Sequence, residues 1–185
     1  MANGVVIKNR VAAMNVDSYN RSAVTGSGVD IQINNGYIFR LDAQSGSSGY
    51  EEVWAVEKCN ANASTLNNMW MAYSPEIVIT TSGNSQYKGI DVDPRNFTNI
   101  GGKVFDAFKL QAGDVITMTA ADISGSPSTG DYVNSTSGSY TFTWAASATA
   151  DSLAMRLLKE TYISIGSGAI DTQRVLAYKF AVVAN

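Results

Sequence analysis

The chain contains no histidine, and that omission removes the commonest general base and the commonest metal ligand together. A Ser-His-Asp triad or a Cys-His pair cannot be assembled from these residues. Serine is abundant, but no Gly-x-Ser-x-Gly elbow follows an apolar strand and opens a helix. Thr25-Gly26-Ser27-Gly28 and Ile165-Gly166-Ser167-Gly168 read instead as flexible turns. Neither a Walker loop nor a Gly-x-Gly-x-x-Gly between strand and helix is present, so nucleotide chemistry has no seat. The enzyme-like feature left is paired carboxylate: Glu51-Glu52, and Asp91-Val92-Asp93. Asp91 and Asp93 could point the same way from an extended segment and hold a hard cation with Asn96, although no calcium-loop spacing follows them. The favoured reading of the pair is solvated loop chemistry. Expected, then, are no catalytic residue, no cofactor and no resident metal, with Asp91 and Asp93 the weak candidates for a metal.

Two further residue types could bind without reacting. Trp54, Trp70 and Trp144, among nine Tyr and six Phe, could form a platform for a sugar ring. The plainer alternative is that all three fill sheet or core positions. The single cysteine, Cys59, lies between Lys58 and Asn60 with Glu57 nearby; it can close no internal disulfide and reads as a half-buried thiol.

Composition narrows the class. A chain of 185 residues, 45% apolar and 16% charged, with a mean hydropathy of −0.05, can bury a core without metal or disulfide staples. No apolar run approaches the roughly 20 residues of a membrane helix. The net charge of −3 and the scattered Lys and Arg argue against nucleic acid, which demands a basic stripe. The first ten residues carry Lys8 and Arg10 but no apolar h-region after them, so synthesis without Sec export is expected. On that ground the sequons beginning at Asn62, Asn96 and Asn134 are fortuitous.

The elements that must position these residues are strands. Period-2 alternation recurs between Gly, Ser and Asn clusters. Val29, Ile31 and Ile33 share one face of a strand that Asn34-Asn35-Gly36 turns into a second, Tyr37 to Leu41, as a hairpin. A strand is expected over 51–58, loop with a short turn over 60–74, a strand over 75–81, and a long surface excursion from Ser82 to Asn99. A second hairpin joins 103–110 to 115–119 through Gln111-Ala112-Gly113-Asp114, and a third joins 131–133 to 140–144 through a Ser/Gly turn at 135–139. Residues 151–160 could form a helix capped by Asp151, but the alternation of Leu153, Met155 and Leu157 continues through Ile163 and Ile165, which favours a long strand. Arg174 to Val183 closes the sheet as a buried strand. The predicted fold is mainly β, with antiparallel hairpins forming a β-sandwich or barrel-like domain and little helix. It divides into an N-terminal arm or first strand (1–28), a β domain (29–122) and C-terminal hairpins (123–185). The linker-like 123–130 marks the boundary if there are two small β subdomains.

In order and spacing these β phrases resemble the decoration, or auxiliary head, proteins of tailed-bacteriophage capsids. The resemblance runs through Asn35-Gly36-Tyr37-Ile38-Phe39-Arg40-Leu41, Val53-Trp54-Ala55-Val56 and Ser74-Pro75-Glu76. It continues from Gly101-Gly102-Lys103 to Leu110, from Ala112-Gly113-Asp114 to Thr119, and through Gly130-Asp131-Tyr132-Val133, Tyr140 to Trp144 and the final Val182-Val183-Ala184-Asn185. It covers about three quarters of the chain; the residues before Ile31 and the 82–99 excursion depart from it. It implies a non-enzymatic virion protein that binds the outer surface of an assembled capsid. Its partner would be the major capsid protein, with homo-oligomeric copies on the shell and neither nucleic acid nor membrane involved. The alternative class is a carbohydrate- or receptor-binding β module of a fibre or virion surface.

Overall fold

The computed structural model describes residues 3–25, 32–44, 52–58, 68–82, 85–90, 93–149, 152–166 and 172–185, with backbone alone at 43, 77–82 and 85–90. Fourteen strands carry almost all of its regular structure: β1 Val6–Arg10, β2 Asn20–Thr25, β3 Ile38–Gln44, β4 Val53–Glu57, β5 Trp70–Ala72, β6 Ile77–Ser82, β7 Ser85–Ile90, β8 Phe105–Lys109, β9 Val115–Thr119, β10 Ile123–Ser124, β11 Tyr132–Ser135, β12 Phe142–Ala145, β13 Ala154–Ile165 and β14 Gln173–Ala184. The helical segments among the described residues are single 3₁₀ turns. A mainly β chain is what the alternation predicts.

The strands form a seven-stranded sheet in the order β1-β9-β14-β13-β11-β12-β10, a closed five-stranded barrel, β2-β4-β3-β5-β8, and a separate β6-β7 hairpin. Alternation along the barrel strands explains how barrel and sheet adhere. On β8, Phe105 and Ala107 point into the barrel core, whereas Phe108 belongs to the core shared with the sheet. Trp70 and Ala72 of β5 likewise point inward and Met71 outward, and Phe39 of β3 points inward while Ile38 faces the sheet. Side chains of both parities thus find apolar partners, although Asp106 of β8, on the Phe108 side, is exposed. Against Phe108, Met71 and Ile38 stand Ile116, Met118, Val133, Met155, Phe142, Trp144 and Phe180 from the sheet. Trp144 meets Tyr178 edge-on at 5.2 Å between ring centroids and lies 5.7 Å from Phe180.

Several connections differ from those the sequence predicts. The turn at Asn34–Gly36 exists, with Gly36 at φ 94° and the Tyr37 amide donating to the Asn34 carbonyl. Its strand β3, however, pairs with β4 and β5, and Ile33 bridges to Asn99; Val29 and Ile31 lie outside the described residues. The Asn35 side chain explains the change. It accepts from the Ser74 amide and donates to the Ser74 carbonyl, while Asn99 donates to it and to the Ile33 carbonyl. A buried polar bracket thus replaces a hairpin ladder. Residues 70–72, expected as loop, form β5, and part of the expected excursion is strand β7, paired with β6.

Segments 105–109 and 115–119 are strands but not a hairpin, because β8 closes the barrel while β9 enters the sheet between β1 and β14. Asp114 makes the crossing: its carboxylate accepts from the amides of Ala12 and Gln111, fixing a turn that leaves one sheet for the other. Two pairings, β2 with β4 and β10 with β12, are parallel where antiparallel hairpins alone are expected. The third hairpin forms as β11 and β12. Residues 154–165 are a strand, and β14 lies inside the sheet, between β9 and β13. The seven-stranded sheet takes strands from both sides of 123–130, where Ile123 and Ser124 pair with Phe142 and Thr143.

A core shared this way should unfold as one unit. Phe108→Ala is expected to cost about 3–5 kcal/mol. In denaturant, the signals of Trp70 in the barrel and Trp144 in the sheet should move together, read as coincident far-UV dichroism and fluorescence transitions. Separate transitions would show that barrel and sheet fold independently.

Candidate functional site

The three tryptophans separate by environment. Trp70 is 8% exposed and Trp144 5%, both in apolar clusters. Trp54 on β4 is half-buried and lines a groove of about 800 Å³ between β1 and the barrel. The groove's aromatic walls are Trp54, Tyr73 and Phe108. The Lys8 ammonium lies 4.0 Å above the Tyr73 ring and 5.2 Å from that of Phe108, and burial lowers its pKa, partly offset by the Asp106 carboxylate. Burial, reinforced by Glu76, raises the Tyr73 phenol. Rigid strands set these positions: Ser22 stands opposite Asp106, Arg21 opposite Ala107, and Gln44 opposite Trp54. A smaller hollow of about 540 Å³ beneath Ile100 and Val104 is more apolar.

The carboxylate pair is not brought together as a described site. Asp91 lies outside the described residues, as does Cys59. Asp93 precedes the 3₁₀ turn Pro94–Asn96 and is engaged by Arg95: its carboxylate accepts from the Arg95 amide at 2.9 Å, from Nε and from Nη2, the last at 2.7 Å. That guanidinium holds the carboxyl below its usual range. Asn96 is exposed at the end of the turn. Among the described residues no cluster of three or more Cys, Asp or Glu side chains could hold a metal ion, and no helix is long and apolar enough to cross a membrane.

No family model, curated protein or solved structure matches this chain.

One group escapes sequence reasoning altogether. Asp122 closes the 3₁₀ turn after β9 and is only 1% exposed; its Oδ2 has no hydrogen-bond partner. It packs where Gly4 and Gly36 leave room, since a Cβ at either position would overlap its carboxylate. Desolvation raises its pKa from 3.8 to about 7, and burial, with the Asp122 charge second, raises the neighbouring Tyr37 phenol. Tyr37 in turn stacks parallel on Tyr140 at 6.0 Å. Nothing in Thr119-Ala120-Ala121-Asp122 distinguishes this carboxylate from a surface one; a glycine 32 residues before another reveals nothing until the fold superposes them.

Because the folded pKa is the higher one, the native state holds a proton that the unfolded chain has released. Asp122 therefore costs nothing below about pH 4, destabilises progressively between pH 4 and 7, and exerts its full effect, roughly 4 kcal/mol, above that. Asp122→Asn should remove this slope, making the variant the more stable chain at pH 8 and not at pH 4. Urea denaturation across that range would measure it, and an unchanged slope in the variant would refute the assignment.

Proposed function

We propose that this chain is a non-catalytic virion structural protein that binds the outer surface of an assembled phage capsid and stabilises or decorates it. The reading rests on the resemblance of its ordered β phrases to capsid decoration proteins and on one observation that favours association over reaction. The long β13-β14 hairpin outruns its sheet. β13 pairs with β11 only through Ala154, Met155 and Arg156, with one further bond from the Leu157 amide to the Asp131 carbonyl. β14 pairs with β9 only from Ala177 to Ala181.

From Leu158 onward, then, the outer edge of β13 has no strand beside it among the described residues. A bulge between Leu157 and Lys159 shifts the register at that point. The alternation on β14, whose Val182 bonds toward the β9 side, turns the backbone of Glu160, Tyr162 and Ser164 outward. Leu158 and Tyr162 are 52% and 51% exposed on the same edge. An open edge with apolar side chains is a template for an added strand, a mode of recognition that needs no reactive group. A standard interface of roughly 800 Å² per partner suffices, and several copies engaging neighbouring capsomers would gain by avidity.

Purified protein incubated with capsids that lack it should sediment with them saturably. Tyr162→Pro removes an outward N–H from an edge strand that otherwise tolerates proline, and it should weaken that retention about tenfold or more while the protein stays folded. Absence of saturable binding by the wild-type chain would eliminate the capsid reading; equal binding by the proline variant would eliminate only the β13 edge as the contact.

A further inference from the structure

We infer that the groove between β1 and the barrel is a binding site for a neutral, hydroxyl-rich saccharide, with Trp54 as its stacking platform. The inference does not depend on the capsid reading.

Its basis is the combination of groups facing one space. At about 800 Å³ the groove falls within the range of small-ligand sites, roughly 300–1,000 Å³. Lys8 and Arg21 bring two positive charges to it, and Glu52 and Asp106 two negative ones. A phosphate or sulfate would meet both carboxylates, and a cation would meet the ammonium and the guanidinium; each is penalised by like charge at close range. A purely apolar ligand would strand polar groups on the walls without partners. A sugar suits the mixture because each hydroxyl both donates and accepts, so it can take a bond from Lys8 or Arg21 and give one to Glu52 or Asp106.

The amides of Asn20 and Gln44 extend the same mixed pattern. Trp54 supplies what hydroxyls cannot satisfy: the C–H face of a pyranose is apolar and packs on an indole held half-open on a rigid strand. The Asn20 amide already donates to the Ala13 and Val16 carbonyls, leaving its oxygen to accept, while the other polar groups keep most of their capacity. Among the described residues, the side chains of Gln44, Glu52 and Asp106 make no hydrogen bond or ion pair, Asp106 acting on Lys8 only through space, and the Arg21 guanidinium, which stands 5.9 Å over the Trp70 ring, spends one N–H on the neighbouring Asn20 carbonyl, at 2.9 Å. The other two tryptophans, sealed in apolar clusters, cannot serve as platforms.

The full chain should be screened on an array of neutral oligosaccharides containing glucose, galactose, mannose, N-acetylglucosamine and fucose, with sulfated and sialylated counterparts alongside. The best binder should then be titrated by calorimetry. Saturable one-site binding of a neutral glycan is expected, weakened at least about tenfold by Trp54→Ala and comparably by Asp106→Asn, with melting temperatures unchanged. Trp54→Phe, which keeps an aromatic face, should retain much of the affinity and decides the matter if the alanine variant does not fold. The proposal is overturned if no neutral glycan binds, if acidic glycans bind better than their neutral counterparts, or if affinity survives Trp54→Ala or the loss of the Asp106 charge.

Discussion

The structure depends on three barrel strands, β3, β5 and β8, burying apolar side chains on both of their faces. A five-stranded barrel lined by Ala23, Ile33, Phe39, Trp70, Ala72, Phe105 and Ala107 encloses a modest core, and small enclosed cores are marginal by themselves. Its strands therefore carry a second apolar parity, Ile38, Met71 and Phe108, which has nowhere to go except against the sheet. The sheet has the complementary need: Ile116, Met118, Phe142, Trp144 and Phe180 form one apolar face that requires a cover. Barrel and sheet are each the other's solvent shield, and the side chain of Asn185 adds polar stitching, donating to the Met69 and Leu110 carbonyls and accepting from the Met69 amide.

This mutual burial also explains which parts of the fold were legible in the sequence. Strand identity was readable wherever β-branched and aromatic residues alternated, as over 154–165, but the bulge after Leu157 was not: it sends Leu153 and Met155 into the shared core and Ile163 and Ile165 to the opposite face, with Val5 and Ala177. Pairing was not readable. A run such as Phe105-Asp106-Ala107-Phe108 looks like an ordinary half-buried strand awaiting its hairpin partner, because nothing in it tells that its two apolar parities serve different cores. The decision to leave one sheet for the other at Gly113-Asp114 lies in the long-range bond from the Ala12 amide to the Asp114 carboxylate, and no local window contains both ends.

The same distinction governs the functional surfaces. The lack of a histidine could be read at once, and it steers attention from reaction to association. The separation of Trp54 from Trp70 and Trp144 could not be fixed from sequence, since each reads as an ordinary strand residue, although the charges flanking Trp54 at 51, 52, 57 and 58 hint at a surface. Lys8, Arg21, Glu52 and Asp106 are distant from one another along the chain and meet only because β1, β2 and β8 converge there. The edge of β13 that no described strand covers is similarly a property of unequal strand lengths rather than of any residue type.

The seating of Asp122 over Gly4 and Gly36 ties three distant positions into one heritable unit. A drifting lineage could not enlarge residue 4 while the carboxylate stays, so change there must follow, or arrive with, loss of the acid at 122. Residue 36 would remain glycine even then, held by its left-handed backbone. Among distant descendants of this chain, a small residue other than glycine at position 4 would therefore mark those that have already given up the buried acid.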